Sequence, residues 1–226
     1  MPGEHRRRAG LNKKSPAIHI HSCSAITKTH ADILPLMPQA LQTSRLILRP
    51  VELADAEQVQ PLFAQWEVVQ HLNSKVPWPF PEDGVLTYYR EAALPAIARG
   101  EEWHWTLRLK QSPEKIIGAI GLSARDEHNR GFWLAPPWQR HGLMTEAVIA
   151  INDYWFDVLN FPVLRVSKAI ANVTSRRISE KTGMRIVAVG DSDYVSGRLP
   201  SETWEITAEE WRVWRQSKAS SKMLSS

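Results

Sequence analysis

The chain has 226 residues, 43% of them hydrophobic and 23% charged, an ordinary globular composition at a length that suits one domain with a sizeable core. No apolar run approaches the roughly 20 residues of a membrane span, and no apolar stretch follows the basic start, so neither an integral membrane protein nor a secretory signal is expected. Cys23 is the single cysteine, which excludes an internal disulfide and a cysteine-based zinc site and points to a reducing, cytoplasmic setting.

Residues 1–38 are rich in Ser, Thr, His, Lys and Arg, show no hydrophobic period and read as a basic, disordered extension. They carry six Lys and Arg against two acidic residues, which accounts for the whole formal charge of +4; residues 39–226 balance at 22 of each sign. His19, His21 and Cys23 have the spacing of three metal ligands on one side of an extended segment, yet in such a tail the spacing reads as coincidence and no metal is expected. An Arg-rich, acid-poor leader also looks like an import signal.

From Leu41 the pattern becomes periodic. Residues 45–51 read as a first strand ended near Pro50, 53–65 as a helix entered through Asp55, and 74–83, with Pro77, Pro79 and Pro81, as a loop. Helical spacing resumes over 83–99 and stops at Gly100. Residues 103–109 and 116–122 read as a hairpin about Ser112-Pro113, and 131–135 as a short strand cut off by Pro136-Pro137, which cannot donate to a ladder. A helix follows with the apolar stripe Val148, Ile151, Trp155, Val158 and Leu159. Then come a strand at 163–169, a short helix over 172–182 closed by Gly183, strands at 185–190 and 203–207, and a last helix carrying Trp211 and Trp214. The domain is bounded at 39–216, with 217–226 as a flexible tail. The order β-α-α-β-β-β-α-β-α-β-β predicts a mixed α/β sheet in one layered domain.

The junction from Leu134 to Ala147 carries the chemistry. A strand ends, a loop with Gly142 follows, and a helix starts at once, so the first helical amides point at any anion seated there. Arg140 and His141 add positive charge and Thr145 a hydroxyl, which together make a pyrophosphate cradle. The Lys-Ser/Thr pair of a nucleotide-hydrolysing P-loop and the G-x-G-x-x-G of a dinucleotide fold are both missing. Many strand–Gly–helix junctions bind nothing, so the cradle alone does not decide.

Gln139-Arg140-His141-Gly142-Leu143-Met144 is similar to the Q/R-x-x-G-x-G/A signature of the GNAT acyl-CoA-dependent N-acetyltransferases. Leu41 to Pro50 looks like the opening strand of the ribosomal-protein N-terminal acetyltransferase branch, and Lys115 to Leu122 like that branch's third strand. Asn172-Val173-Thr174-Ser175, with Lys181-Thr182-Gly183-Met184 behind it, is similar to its N-x-x-S…E-K-x-G-F block. The resemblance covers roughly residues 41–210, all but the extension and the end of the chain.

The resemblance implies a central, mostly antiparallel sheet splayed between its fourth and fifth strands and flanked by helices. It implies acetyl-CoA as co-substrate and no metal, with the pyrophosphate on the loop Gln139, Arg140, His141, Gly142, Leu143, Met144 and Thr145. The pantetheine arm would lie beside Trp133, Leu134 and Ala135, and Asn172 would contact it or cap its own helix. An amine would attack the thioester directly, with a backbone amide near Leu134 polarising the carbonyl. Two departures stand out. Met144 fills a position that is small in the family and would crowd the cradle, and Ser179 stands where many members carry a Tyr general acid. Ser175 takes the acid role by resemblance, with a plain first-turn serine as the alternative.

Candidates for the base are Glu102 and His104, on the strand face opposite Trp103 and Trp105, and Glu127 and His128 in a later loop, with an ordered water as the remaining option. Trp78 and Phe80 fall where the family places its substrate-side loop and would wall an acceptor pocket, unless Trp78 packs into the core. The acceptor is a primary amine of a small molecule or a protein N-terminus, and the neutral body favours the small amine. A CoA-binding sensor or interaction module without catalysis is the alternative class. Nucleic acid binding would rest on the extension alone and is not expected, nor is a membrane partner; a homodimer stays open.

Overall fold

The computed structural model describes residues 37–125 and 127–223; the possible ligands His19, His21 and Cys23 and nearly all of the extension lie outside the described residues. The elements run β1 (Leu41–Gln42), β2 (Leu46–Pro50), α1 (Ala56–Phe63), α2 (Trp66–Val69), α3 (Gly84–Tyr88), α4 (Leu94–Ala98), β3 (Glu102–Leu109), β4 (Ser112–Ser123) and β5 (Arg130–Leu134). They continue with α5 (Leu143–Asp153), β6 (Val163–Ala169), α6 (Val173–Lys181), β7 (Arg185–Tyr194), β8 (Gly197–Thr207) and α7 (Ala208–Met223). A π-turn at Tyr89–Ala93 joins α3 to α4, and another at Tyr154–Val158 extends α5.

Two antiparallel sheets result, β1-β2-β3-β4-β5 and β6-β8-β7. They meet at the start of β5, where Asn129 N–H donates to Arg165 O and Arg165 N–H to Asn129 Oδ1, both at 2.7 Å. Past that point β5 and β6 belong to separate sheets. This is the expected splay, between the strands at 131–135 and 163–169.

Both faces of β3 are covered. Trp103, Trp105, Leu107 and Leu109 join the large core under α5 and α7, with Ile151, Trp155, Ile206 and Trp211. On the other face Val51, Val59, Val85, Tyr89 and Ile97 form a smaller core beneath α1, α3 and α4. There Arg108 is buried and donates to Asp55 Oδ1 at 2.7 Å, which compensates both charges.

Four expectations need correction. The helix over 53–65 opens as a 3₁₀ turn at Leu53–Asp55 and ends at Phe63, where the backbone leaves helical space at Ala64 (ψ 48°) and is extended at Gln65, so that α2 follows as a separate short helix. The strands at 185–190 and 203–207 are parts of one long hairpin. Pro200 is tolerated in β8 because its position lies beyond Ala169, the last residue of β6 in the register, where no second ladder needs an N–H. The last helix runs on to Met223, so the flexible tail does not begin at 217; Ser217 Oγ and Ser220 Oγ back-bond to Trp214 O and Gln216 O. At the other end Pro38, assigned to the extension, is buried, and Trp105 Nε1–H donates to Gln39 O at 2.7 Å.

Candidate active site

The phase of β5 sets which groups face the splay. Ala135 N–H donates to Ile117 O at 2.9 Å and Ser123 N–H to Asn129 O at 2.8 Å, with Gly131 and Trp133 opposite Gly121 and Ala119 between them. In an antiparallel ladder alternate residues bond to the same neighbour, so Asn129, Gly131, Trp133 and Ala135 spend their backbone groups on β4. Phe132 and Leu134 turn theirs outward into the gap. Of the three residues expected to flank a pantetheine arm, only Leu134 offers a free amide; Gln139 Nε2 already donates to its carbonyl at 2.8 Å. Phe132 is the outward-facing residue that the sequence did not single out.

Beyond β5 the chain takes left-handed conformations at Arg140 (φ 68°) and at Gly142 (φ 75°), the N-cap of α5. The first helical bond is Glu146 N–H to Gly142 O at 3.1 Å, so the amides of Leu143, Met144 and Thr145 have no intrahelical acceptor. They border a cleft of about 530 Å³ whose opposite wall comes from α6, with Asn172, Ser175, Arg177 and Lys181. Arg140, Arg177 and Lys181 are in its wall and give it positive charge. Gln139 and Thr145 are in the wall, whereas Ala135 and His141 are not; His141 is exposed and its carbonyl accepts from Arg45 Nη1 at 3.0 Å. Met144 does not crowd the cradle, because its side chain, like that of Leu143, is buried in the large core.

Asn172 Oδ1 accepts the Ser175 amide at 3.1 Å and caps α6, while both residues face the cleft. Ser175 therefore occupies the first turn of α6 and the cleft wall at once. Ser179 does not reach the cleft. It is sealed in the interior, where Lys168 Nζ donates to its Oγ and, at 3.2 Å, to Ser175 O. Burial and the neighbouring Arg130 charge hold the Lys168 amine well below the usual lysine range, against the pull of Glu202.

A second cavity of about 610 Å³ adjoins the cleft, and Leu72, Phe132 and Trp133 belong to both. Phe80 lines it and packs edge-on against Phe63, which also meets Trp133. Trp78 is outside the wall, 43% exposed, with its ring 5.4 Å from that of Trp66. The floor is the face of β3, β4 and β5, where His104, Ala119, Gly121 and Gly131 stand.

His104 leans over Gly121. A Cβ at Gly121 would come within 2.5 Å of His104 Nδ1, so the missing side chain makes room for the imidazole. The far nitrogen, Nε2, lies 2.8 Å from Glu102 Oε2, and Arg125 Nη2 donates to Glu102 Oε1 at 2.8 Å. Burial raises the Glu102 carboxyl, but the hydrogen bond and charge of His104 and the charge of Arg125 outweigh it and hold the group below the usual glutamate range. An ionised Glu102 accepts only, so Nε2–H is the donor of this pair, and in the neutral imidazole the lone pair is then on Nδ1, beside Gly121. Burial and the Glu102 carboxylate push the Tyr88 phenol, also in the cavity wall, up to about 12, which keeps it a neutral donor. Glu127 and His128 are exposed in their loop and line neither space.

With this geometry in place, the chain's likeness to known proteins is decisive. The family model described as "Acetyltransferase (GNAT) domain" matches residues 45–185. The chain belongs to the GNAT acetyltransferase family. It is 27% identical over 149 residues, 64% of its own length and 82% of the other's, to the uncharacterized N-acetyltransferase YoaA of Bacillus subtilis (strain 168). Its fold matches the ribosomal-protein-S5-alanine acetyltransferase of Vibrio fischeri with a TM-score of 0.66 at 14% identity, covering 76% of this chain and 98% of that one. It also matches RimL, a ribosomal L7/L12 alpha-N-protein acetyltransferase solved in complex with coenzyme A, with a TM-score of 0.64 at 13% identity over 75% and 98% of the two chains.

Within this GNAT fold, residues the sequence did not reveal complete the walls. Glu67 and His71, at and just after α2, face α6 across the cleft, and burial holds His71 below the usual histidine range. No motif marks them, since their position depends on the break in the helix at Ala64 and Gln65. No helix among the described residues is long and apolar enough to cross a membrane.

Proposed function

We propose that this chain is an acetyl-CoA-dependent N-acetyltransferase that acylates the primary amine of a small molecule or a protein N-terminus by direct attack on the thioester. The observation that carries this reading is the junction of the two spaces at Phe132 and Trp133. An anion cradle lies on one side of it and the His104–Glu102 pair on the other. The chain from Pro38 to the end of α7 forms the catalytic domain in this reading, and a reducing, cytoplasmic setting goes with it.

The amides of Leu143, Met144 and Thr145, with Arg140, Arg177 and Lys181, would hold the pyrophosphate and its neighbouring phosphate. The outward groups of Phe132 and Leu134 would pair with the amide-bearing pantetheine arm as an added strand does. The Leu134 N–H, turned into the gap, would donate to the thioester oxygen as negative charge develops there. As the acceptor nitrogen bonds to the acyl carbon and the carbon–sulfur bond breaks, His104 Nδ1 takes the proton from nitrogen and Glu102 stabilises the resulting imidazolium. Ser175, in the cleft wall, is the hydroxyl assigned to protonate the departing thiolate.

Ser175→Ala tests this last assignment. The expected result is a lower turnover at similar acetyl-CoA affinity, and an unchanged rate returns Ser175 to its place in the capped turn. Tight CoA binding without turnover of any amine or peptide would instead favour a non-catalytic CoA sensor.

A further inference from the structure

The acceptor cavity differs from the cleft beside it in what its walls can recognise. Its charged wall residues are Lys75 and Asp83, both exposed at the mouth, besides His104 on the floor. Thr87 Oγ1 is already bonded to Asp83 Oδ2 at 3.3 Å. The interior is formed by Val59, Phe63, Phe80, Val85, Phe132 and Trp133. The floor is the face of a sheet, not its edge: β4 is paired on both sides, and Gly131 and Trp133 of β5 are spent on β4. The open edge of β5, at Phe132 and Leu134, is the one the proposed pantetheine arm would take, so an extended polypeptide entering here would find no other ladder in this floor to join.

The outer wall is fixed in place. Val195 N–H donates to Leu72 O at 3.0 Å, Ser196 N–H to Gln70 O at 3.1 Å, and Ser74 N–H to Asp193 O at 3.2 Å. The turn between β7 and β8 is thereby stitched to the segment that supplies Leu72, Lys75 and Val76 to the cavity. A preformed, largely apolar space, with one carboxylate and one ammonium at its mouth and the Tyr88 phenol in its wall, discriminates against polycations, which need several carboxylates, and against peptide backbones, which need more partners than one phenol.

Resting on the acetyltransferase reading, we infer that the acceptor is a compact monoamine carried by an aromatic or branched aliphatic body. The body fills the space between Phe80 and Trp133, and the amine reaches the floor beside His104 Nδ1. The acceptor reacts as the neutral amine, its ammonium proton having passed to solvent; nitrogen gains the acetyl group and loses one proton to the imidazole, while the sulfur of CoA leaves as thiolate and takes a proton through Ser175, which regains it from solvent.

The test is thiol release from acetyl-CoA with 2-phenylethylamine and tryptamine, against spermidine, an aminoglycoside, and peptides beginning with Ser or Ala. The monoamines are expected to lead in kcat/KM by at least about tenfold. Gly131 offers a specific block, since a Cβ there meets nothing within 4 Å and its residue lines the cavity. Gly131→Leu should raise the monoamine KM by roughly tenfold or more, with Gly131→Ala intermediate and acetyl-CoA affinity unchanged. Preference for peptides or polycations, or an unmoved monoamine KM in Gly131→Leu, overturns the acceptor class. Calorimetric binding of 2-phenylethylamine alone, and of acetyl-CoA alone, keeps the two claims apart. Failure of acetyl-CoA to bind overturns the acetyltransferase reading, whereas failure of the monoamine to bind overturns only the acceptor class.

Discussion

Glu102 Oε2 stands 2.8 Å from His104 Nε2, so one nitrogen of the imidazole is committed to a carboxylate and the other lies over Gly121 in the cavity floor. This divides two roles that residue type alone does not separate. In the proposed reaction His104, in the cavity wall, meets the acceptor, and Glu102, which is not in the wall, orients it. His104→Ala is expected to lower kcat by about 10²–10⁴-fold without weakening acetyl-CoA binding, and added imidazole should restore part of the rate. Glu102→Gln should cost less and leave acceptor KM nearly unchanged. Steady-state kinetics with calorimetric CoA binding checks both, and a His104→Ala enzyme at full speed would remove the base from this residue.

Gly142 combines a left-handed backbone with a place at the mouth of the cradle. Gly142→Glu puts a carboxylate where the proposed reading seats the pyrophosphate, and acetyl-CoA affinity should fall by at least about 100-fold. The left-handed residue adds about 1–2 kcal/mol of strain to the folded state. Gly142→Ala carries the same strain without the charge, and its Cβ has room, 3.6 Å from Arg45 Nη2. A large loss of affinity in the Glu variant alone, at matched thermal stability, is the expected pattern.

Phe80 and Trp78 should part company. Phe80 is in the cavity wall and Trp78 packs outside it on Trp66, so Phe80→Ala is expected to raise acceptor KM by roughly tenfold. Trp78→Ala should leave acceptor KM within about twofold while lowering thermal stability through the lost ring contact. Equal effects on KM would place Trp78 back against the acceptor.

Glu146 ties the start of the first long strand to the first turn of α5. Thr43 Oγ1, Ser44 Oγ (3.1 Å), Arg45 N (2.8 Å) and Arg45 Nε (2.7 Å) all donate to its carboxylate. Burial raises the carboxyl, and the hydrogen bonds from Thr43, Arg45 and Ser44 outweigh it, so the group is held below the usual glutamate range. A depressed folded value stabilises above the unfolded value and is lost as pH falls through the folded one. Wild type should therefore exceed Glu146→Gln by about 1–3 kcal/mol near neutrality. The gap should close in acid, and denaturant melts across pH measure it; a pH-independent gap would show that the carboxylate's charge contributes nothing.

Much of this was legible in the sequence for physical reasons. The Gly142 loop announces itself because only a few residue types tolerate a left-handed turn that leaves helical amides exposed, and Asn172 because a cap must sit one residue before its helix. The outward face of β5 was not legible. Which of Phe132, Trp133 and Leu134 offers its amide depends on the pairing phase with β4, fixed by the bond from Ala135 to Ile117, and a shift of one residue reverses it. Met144 looked intrusive because a motif compares side-chain size without direction, whereas the helix turns that side chain into the core. Glu67, His71 and Tyr88 belong to the walls only through tertiary packing, and nothing in their local pattern says so.

Free-thiol release from acetyl-CoA, read alongside mass-spectrometric detection of the acetylated acceptor, tests the central claim most directly. The predicted result is one acetylated amine per thiol released, abolished in Gly142→Glu and strongly slowed in His104→Ala. Acetyl-CoA that binds in the cleft yet stays intact with every amine and peptide offered would contradict it.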